Sequence, residues 1–93
     1  MIKSFTDKET EKIFFRKQSV KISVQIQKIA LRKLLLLYAS SGINDLKVPP
    51  GNRLEKLSGN YKGKYSIRIN DQFRIIFEFR NGNAFEVEIV DYH

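Results

Sequence analysis

The stretch YSIRINDQFRIIFEFRNGNAFEVEIV, residues 65–90, decides the fold. Tyr65, Ile67 and Ile69 fall on one face of an extended chain, as do Phe73, Ile75, Phe77 and Phe79, and then Phe85, Val87 and Ile89. A repeat of two is the mark of strands that bury one face. A three-residue turn at Asn70-Asp71-Gln72 pairs Ile69 with Phe73 and keeps both apolar faces together, whereas a two-residue turn sets apolar against polar. The same test predicts a three-residue loop at Asn81-Gly82-Asn83, pairing Phe79 with Phe85, Phe77 with Val87 and Ile75 with Ile89.

On the opposite face this register sets Arg68 across from Arg74 and Arg74 across from Val90, with Tyr92 one step further along. Like charges directly opposed destabilise a sheet by roughly 0.2–1 kcal/mol, so an anion is expected beside the arginine pair. Glu88, diagonal to Arg74, is the plain candidate, as an ordinary surface ion pair. A phosphate is the other, because guanidinium forks match its oxygens in two-point geometry. The chain's only histidine, His93, follows Tyr92 in Asp91-Tyr92-His93. Imidazole titrates near neutrality, so histidine, an aromatic hydroxyl and two guanidiniums together supply the groups needed to cut a phosphodiester without a metal. Taken alone, His93 is better explained as a frayed, inert terminus or a tag remnant than as a catalytic group. Parity puts Asp91 on the core side, in a structural role.

Working outward, Met1 to Phe5 alternates weakly and reads as a short opening strand. A first helix is predicted from about Asp7 to Arg16, with acids in its first turn, and a second from Ser19 or Ser23 to Tyr38. On the second, Lys21, Gln25, Lys28 and Arg32 form one polar stripe and most of the remainder is apolar, which predicts burial against the sheet. Ser40-Ser41-Gly42 ends it, and Ile43 to Arg53, containing Pro49-Pro50-Gly51-Asn52, reads as a loop with one possible helical turn. The expected architecture is α+β in one domain, residues 1–93, with an N-terminal strand and two helices packed on one face of a mostly antiparallel, roughly four- or five-stranded twisted sheet.

Seventeen Lys and Arg against ten Asp and Glu give a net charge of +7. Residues 1–33 hold nine of the cations and three acids, while residues 81–93 hold three acids and neither Lys nor Arg. That excess favours a polyanionic partner, or else is a solubility surface. There is no cysteine, which excludes disulfides and thiolate chemistry and suits the cytoplasm, the expected location. The apolar run Leu34 to Ala39 is far too short to span a bilayer, so no membrane role is expected. One histidine without cysteine makes no zinc site, and the acids lack calcium-loop spacing, so neither metal nor cofactor is expected. Gly59 to Lys64 superficially matches a phosphate loop but lacks its length and its following Ser or Thr, and reads as a tight turn.

Pro50-Gly51-Asn52-Arg53-Leu54-Glu55-Lys56-Leu57-Ser58-Gly59, then Tyr65 to Ile75, then the terminal Val87 to His93, resemble in order the HigB-like killer toxins of the RelE superfamily, with a weaker match from Ile2 onward. What the resemblance implies is a toxin of a type II toxin-antitoxin system: a ribosome-dependent, metal-independent endoribonuclease in which the messenger's own 2′-hydroxyl attacks the adjacent phosphate. By position, Arg74 matches an arginine that stabilises the phosphate, His93 a terminal catalytic histidine, and Tyr92 a neighbouring aromatic that orients or stacks on substrate. Several HigB-like members place a histidine where this chain has Glu55. Other RelE-superfamily toxins carry a glutamate general base there, so Glu55 is the candidate base, with a solvent-facing strand residue as the plain alternative.

The resemblance implies as partners a HigA-like antitoxin carrying a helix-turn-helix, the 70S ribosome and mRNA, with operator DNA reached only through the antitoxin complex. Candidate RNA or ribosome contacts are Arg68, Lys62, Lys64, Arg53, Lys28 and Arg32. Two other classes of function fit the same composition. One is a non-catalytic basic RNA- or ribosome-binding module, whose affinity falls steeply with salt, and the other is a protein-only docking partner.

Overall fold

The computed structural model describes residues 1–91, and Tyr92 and His93 lie outside the described residues. Helix α1 (Lys8–Phe14) starts at Asp7, whose carboxylate accepts the Thr10 N–H at 3.2 Å. Glu9 and Glu11 add negative charge where the helix dipole favours it. Its end is a Schellman turn, with Lys17 N–H bonded to the Lys12 carbonyl and Arg16 N–H to that of Ile13. Arg16 occupies the left-handed position at φ 62° where glycine is usual. Helix α2 (Val24–Ala39) is capped by Ser23 and buries Ala30, Leu34 and Leu37, spaced four and three apart on one face.

Four antiparallel strands follow in the spatial order of the chain: β1 (Glu55–Lys56), β2 (Tyr65–Arg68), β3 (Phe73–Arg80) and β4 (Asn83–Asp91). The N-terminal segment lies parallel along the free edge of β4, through bridges Ile2 to Ala84 and Phe5 to Val87. Beyond it, the buried hydroxyl of Thr10 accepts the Ile89 N–H at 2.9 Å, so α1 satisfies the edge where the segment leaves off. Ile13, Ala30, Leu34 and Leu37 from the helices meet Ile67, Ile75, Phe77 and Val87 from one face of the sheet. Both helices therefore cover that face and leave the other open. No helix among the described residues is long and apolar enough to cross a membrane.

The first hairpin has the expected register, with Ile67 opposite Ile75 and Arg68 opposite Arg74. Asn70 closes its turn by accepting the N–H groups of Gln72 and Phe73 at 2.9 and 2.7 Å. The second hairpin corrects the sequence reading. Its loop has two residues, Asn81 at φ 52° and Gly82 at φ 79°, with Arg80 paired to Asn83, Phe79 to Ala84 and Glu78 to Phe85. Asn-Gly favours this tight turn because both residues tolerate positive φ. The one-residue slip is absorbed by a bulge in which Glu86, at φ 50°, and Val87 stand opposite Phe77. Beyond the bulge the pairs Ile75–Ile89 and Arg74–Val90 are as expected. Before it, Ala84 takes the core position, and the ring of Phe85 lies on the open face, 4.1 Å from the Arg80 guanidinium carbon.

Candidate active site

The open face is built around Arg74. Strand parity turns its side chain away from the helices, yet it is only 8% exposed, because neighbouring groups enclose it. Its Nε donates to the buried Ser66 hydroxyl at 2.9 Å, and one terminal nitrogen donates to the Arg53 carbonyl at 2.6 Å. The same nitrogen lies 3.7 Å from the carboxylate of Glu55, whose side chain is half exposed. Glu55 is opposite Ser66 across β1 and β2, and Ser66 is opposite Ile76, which places Ser66 diagonal to Arg74. Tethering on two sides leaves this guanidinium little rotational freedom.

The Arg53 carbonyl is aimed by its own backbone. Arg53 sits at φ 45° after a short 3₁₀ turn, Pro50–Asn52. Asn52 is fully buried and donates its amide to the carbonyls of Leu46 and Val48, while its oxygen accepts from the Lys33 ammonium. Lys33 is held below the ordinary lysine range, first by burial and then by the nearby charges of Arg32 and Arg68. Helix α2 is thus connected to Arg74 through Lys33, Asn52 and the Arg53 carbonyl.

The anion expected beside the arginine pair is present, but it is not Glu88. Glu55 serves Arg74, and Asp71 in the turn pairs with Arg68. Glu88 shares the open face with its carboxyl raised above the usual range, chiefly by burial. Asp91 pairs with Phe73 at the end of the sheet and accepts from Gln72 at 3.0 Å; it is exposed, where parity had put it toward the core.

A profile described as the RelE-like toxin of the type II toxin-antitoxin system HigB matches residues 3–93. Toxin HigB-1 of Vibrio cholerae is 42% identical over 85 residues, 90% of each chain. This chain belongs to the HigB-like toxin family. An uncharacterised Haemophilus influenzae protein is 44% identical over 64 residues, 69% of this chain and 63% of its own. Among solved structures, a YafQ variant from E. coli superposes with a TM-score of 0.65 at 13% identity, covering 98% of this chain and 91% of that one. The YoeB-YefM complex from Staphylococcus aureus gives 0.59 at 22%, covering all of this chain and 95% of the matched one. At such identities the likeness is one of fold, and it bears out the α+β architecture.

In this HigB-like toxin Arg74, Glu55, Arg68 and the backbone of Arg53 are brought together, with Lys64 leading into β2 on the same face by parity. Lys64 lies 6.0 Å from the ring of Tyr61, and Lys62 is exposed in the adjoining turn. Arg32, on α2, is near enough to Lys33 to affect its titration, whereas Lys28 lines a groove between α1 and α2. Lys28 is therefore separated from Arg74. The catalytic expectations for Tyr92 and His93 fall outside the described residues. Sequence reasoning missed Ser66 and Asn52. Ser66 was findable, since the registered hairpin already set a small hydroxyl diagonal to Arg74. Asn52 was not, because its amide grips carbonyls four and six residues back in an irregular loop.

Proposed function

We propose that this type II toxin is an endoribonuclease that cuts messenger RNA on the ribosome, with Arg74 binding the scissile phosphate. The observation that carries the proposal is the pinned guanidinium on the open face of the sheet, with a carboxylate 3.7 Å away. A phosphate that engages Arg74 there comes within reach of Glu55. Glu55 takes the proton of the 2′-hydroxyl as its oxygen bonds to phosphorus, and the bond from phosphorus to the 5′-oxygen breaks. His93 protonates that leaving oxygen, and the products are a cyclic phosphate and a 5′-hydroxyl. Tyr92 orients the substrate, and Arg68, Arg53, Lys62 and Lys64 contact RNA or ribosome around the site. In cells the toxin is held by a cognate antitoxin, a reading supported by its family and by the YoeB-YefM toxin-antitoxin heterotetramer among its structural neighbours.

The test is induction of wild type, Arg74→Ala and His93→Gln in cells without antitoxin, with RNA ends mapped by primer extension. New 5′ ends on translated messages and arrested growth are expected for wild type only. Growth arrest without new ends points to a non-catalytic ribosome binder, and toxicity retained by a folded His93→Gln protein removes the histidine from the mechanism.

A further inference from the structure

Lys33 belongs to α2, in the layer that covers the closed face of the sheet, yet its ammonium reaches the loop that supports Arg74. That loop has little else to hold it. Residues 47–51 and Arg53 are exposed, and Asn52 between them is fully buried. The Asn52 amide nitrogen donates to the carbonyls of Leu46 at 3.1 Å and Val48 at 3.4 Å, and its oxygen accepts from Lys33. Two carbonyls on one side and an ammonium on the other allow only this orientation of the carboxamide. The next residue, Arg53, turns left-handed at φ 45° and offers its carbonyl to a terminal nitrogen of Arg74 at 2.6 Å. We propose that Lys33 and Asn52 are positioning residues, which brace the Arg53 carbonyl from α2 and so set the plane in which the Arg74 guanidinium meets a phosphate, an inference that rests on the phosphate-binding reading above.

Three observations carry this beyond a grip that serves stability alone. The Ser66 hydroxyl holds Arg74 at Nε, and one bond defines a point and not a plane; the bond from the terminal nitrogen to Arg53 supplies the second point. A carboxamide buried at position 52 has to be matched on both sides, where an apolar side chain would fill the space without that requirement. It is the group that can hold two carbonyls and a cation in a fixed relation. The cation, finally, stands where it is least favoured, since burial and the charges of Arg32 and Arg68 both oppose the charged form of Lys33. A positioning role accounts for an ammonium there. Sites supported from helices are more precise than sites supported from loops, and the brace lends the rigidity of a 16-residue helix to a loop carbonyl.

The experiment compares wild type with Lys33→Met, which keeps the stem and removes the ammonium, and with Lys33→Arg, which returns a cation to the same oxygen. The first readout is the side-chain nitrogen resonances of Arg74 in the free toxin, identified by their loss in Arg74→Lys. A guanidinium held at Nε and at a terminal nitrogen rotates slowly about its carbon–nitrogen bonds and gives separate terminal signals. Lys33→Met merges them and Lys33→Arg restores them. The second readout is single-turnover cleavage of ribosome-bound messenger, well below the thermal midpoint.

A misplacement of about 1 Å in a reacting group costs about a hundredfold in rate. Lys33→Met accordingly lowers the rate at saturating ribosome by about ten- to a hundredfold, with the half-saturating concentration within about twofold of wild type. Lys33→Arg recovers most of that loss. Should Lys33→Met melt below the assay temperature, Lys33→Gln, whose amide nitrogen reaches one bond less far, is read by the same criteria. Arg74 resonances that are unchanged in Lys33→Met, or already merged in wild type, overturn the positioning role and leave the phosphate reading standing. A raised half-saturating concentration at an unaltered maximal rate makes Lys33 a ribosome contact and likewise overturns it. Changed resonances with unchanged cleavage overturn the phosphate-binding reading of Arg74 and the positioning role with it.

Discussion

Replacing Ser66 by alanine isolates what holds Arg74 in place. The hydroxyl it removes is fully buried and is the acceptor for Arg74 Nε at 2.9 Å. Ser66 is fully buried and Arg74 only 8% exposed, so water has little access to the stranded N–H. A hydrogen bond to a charged group contributes about 1.5–3 kcal/mol, and leaving its buried donor unpaired places the loss at that level. The Glu55 contact is a different case. Its carboxylate is half exposed and 3.7 Å distant, so screening limits it to about 0–1 kcal/mol. Ser66→Ala should therefore destabilise the protein more than Glu55→Gln, lowering the thermal midpoint by at least about 6 °C for a domain of this size. On the proposed mechanism, with Glu55 as base and Arg74 on the phosphate, cleavage should rank differently, because the base and the support of the phosphate-binding group fail in different ways. Glu55→Gln removes the proton acceptor and flattens the acid limb of the pH–rate profile. Ser66→Ala lowers the rate and leaves the profile unchanged, since the hydroxyl moves no proton. Circular-dichroism melts and primer extension over a pH series read both. A Ser66→Ala midpoint within about 2 °C of wild type, or a larger loss in Glu55→Gln, refutes the tethering argument.

Gly82→Ala should cost more than about 1 kcal/mol by thermal melt, because its φ of 79° disfavours a side chain and the added Cβ meets the Ser41 carbonyl oxygen at 3.0 Å. At the bulge, Glu86→Gly should leave the midpoint unchanged or higher, whereas Glu86→Val, branched at a φ of 50°, should lower it; equal melts for the two exclude a conformational origin. Burial raises the Glu88 carboxyl, so the folded protein binds its proton more tightly than the unfolded chain does, and stability falls as pH rises from the unfolded value through the folded one. Glu88→Gln should accordingly raise the midpoint at pH 7–8, with the gain vanishing below about pH 4. A gain that persists at low pH assigns the effect to something other than ionisation.

Apolar alternation made the first hairpin legible down to the pairing of Arg68 with Arg74, since a one-residue slip there has no compensation within four residues of strand. The second hairpin misled for the same reason that it folds. Parity was carried from Phe79 to Ile89 as if the strand were regular, but Asn81-Gly82 prefers the tighter turn and Glu86 takes up the extra residue. The distant pairs were therefore right, while Phe85 was put on the wrong face. Arg74 and Glu55 were legible through the family resemblance, and Ser66 was legible in principle from the register. The grip of Asn52 and the Arg53 carbonyl was not, because a backbone group aimed by a left-handed residue leaves no trace in side-chain pattern. The anion beside Arg74 was expected correctly as a class. Glu88 was offered there as the alternative to a phosphate, and Glu55 was not, because β1 is two residues long and offers almost no periodicity.

The edge of β4 against the opening segment carries a consequence for how the chain is born. Ser4 and Glu86, which bond through the serine hydroxyl, are 82 positions apart, and Met1 to Thr6 find their backbone partners in residues 82–87, translated long after them. Contacts this distant in sequence form late, after the entropy of closing the intervening chain has been met. The first segment, and the Thr10 hydroxyl of α1, must wait for β4 to emerge before they find these partners. A message truncated before residue 83 then yields a chain without the strand that joins its two ends, so the integrity of the transcript governs whether an active protein is made at all.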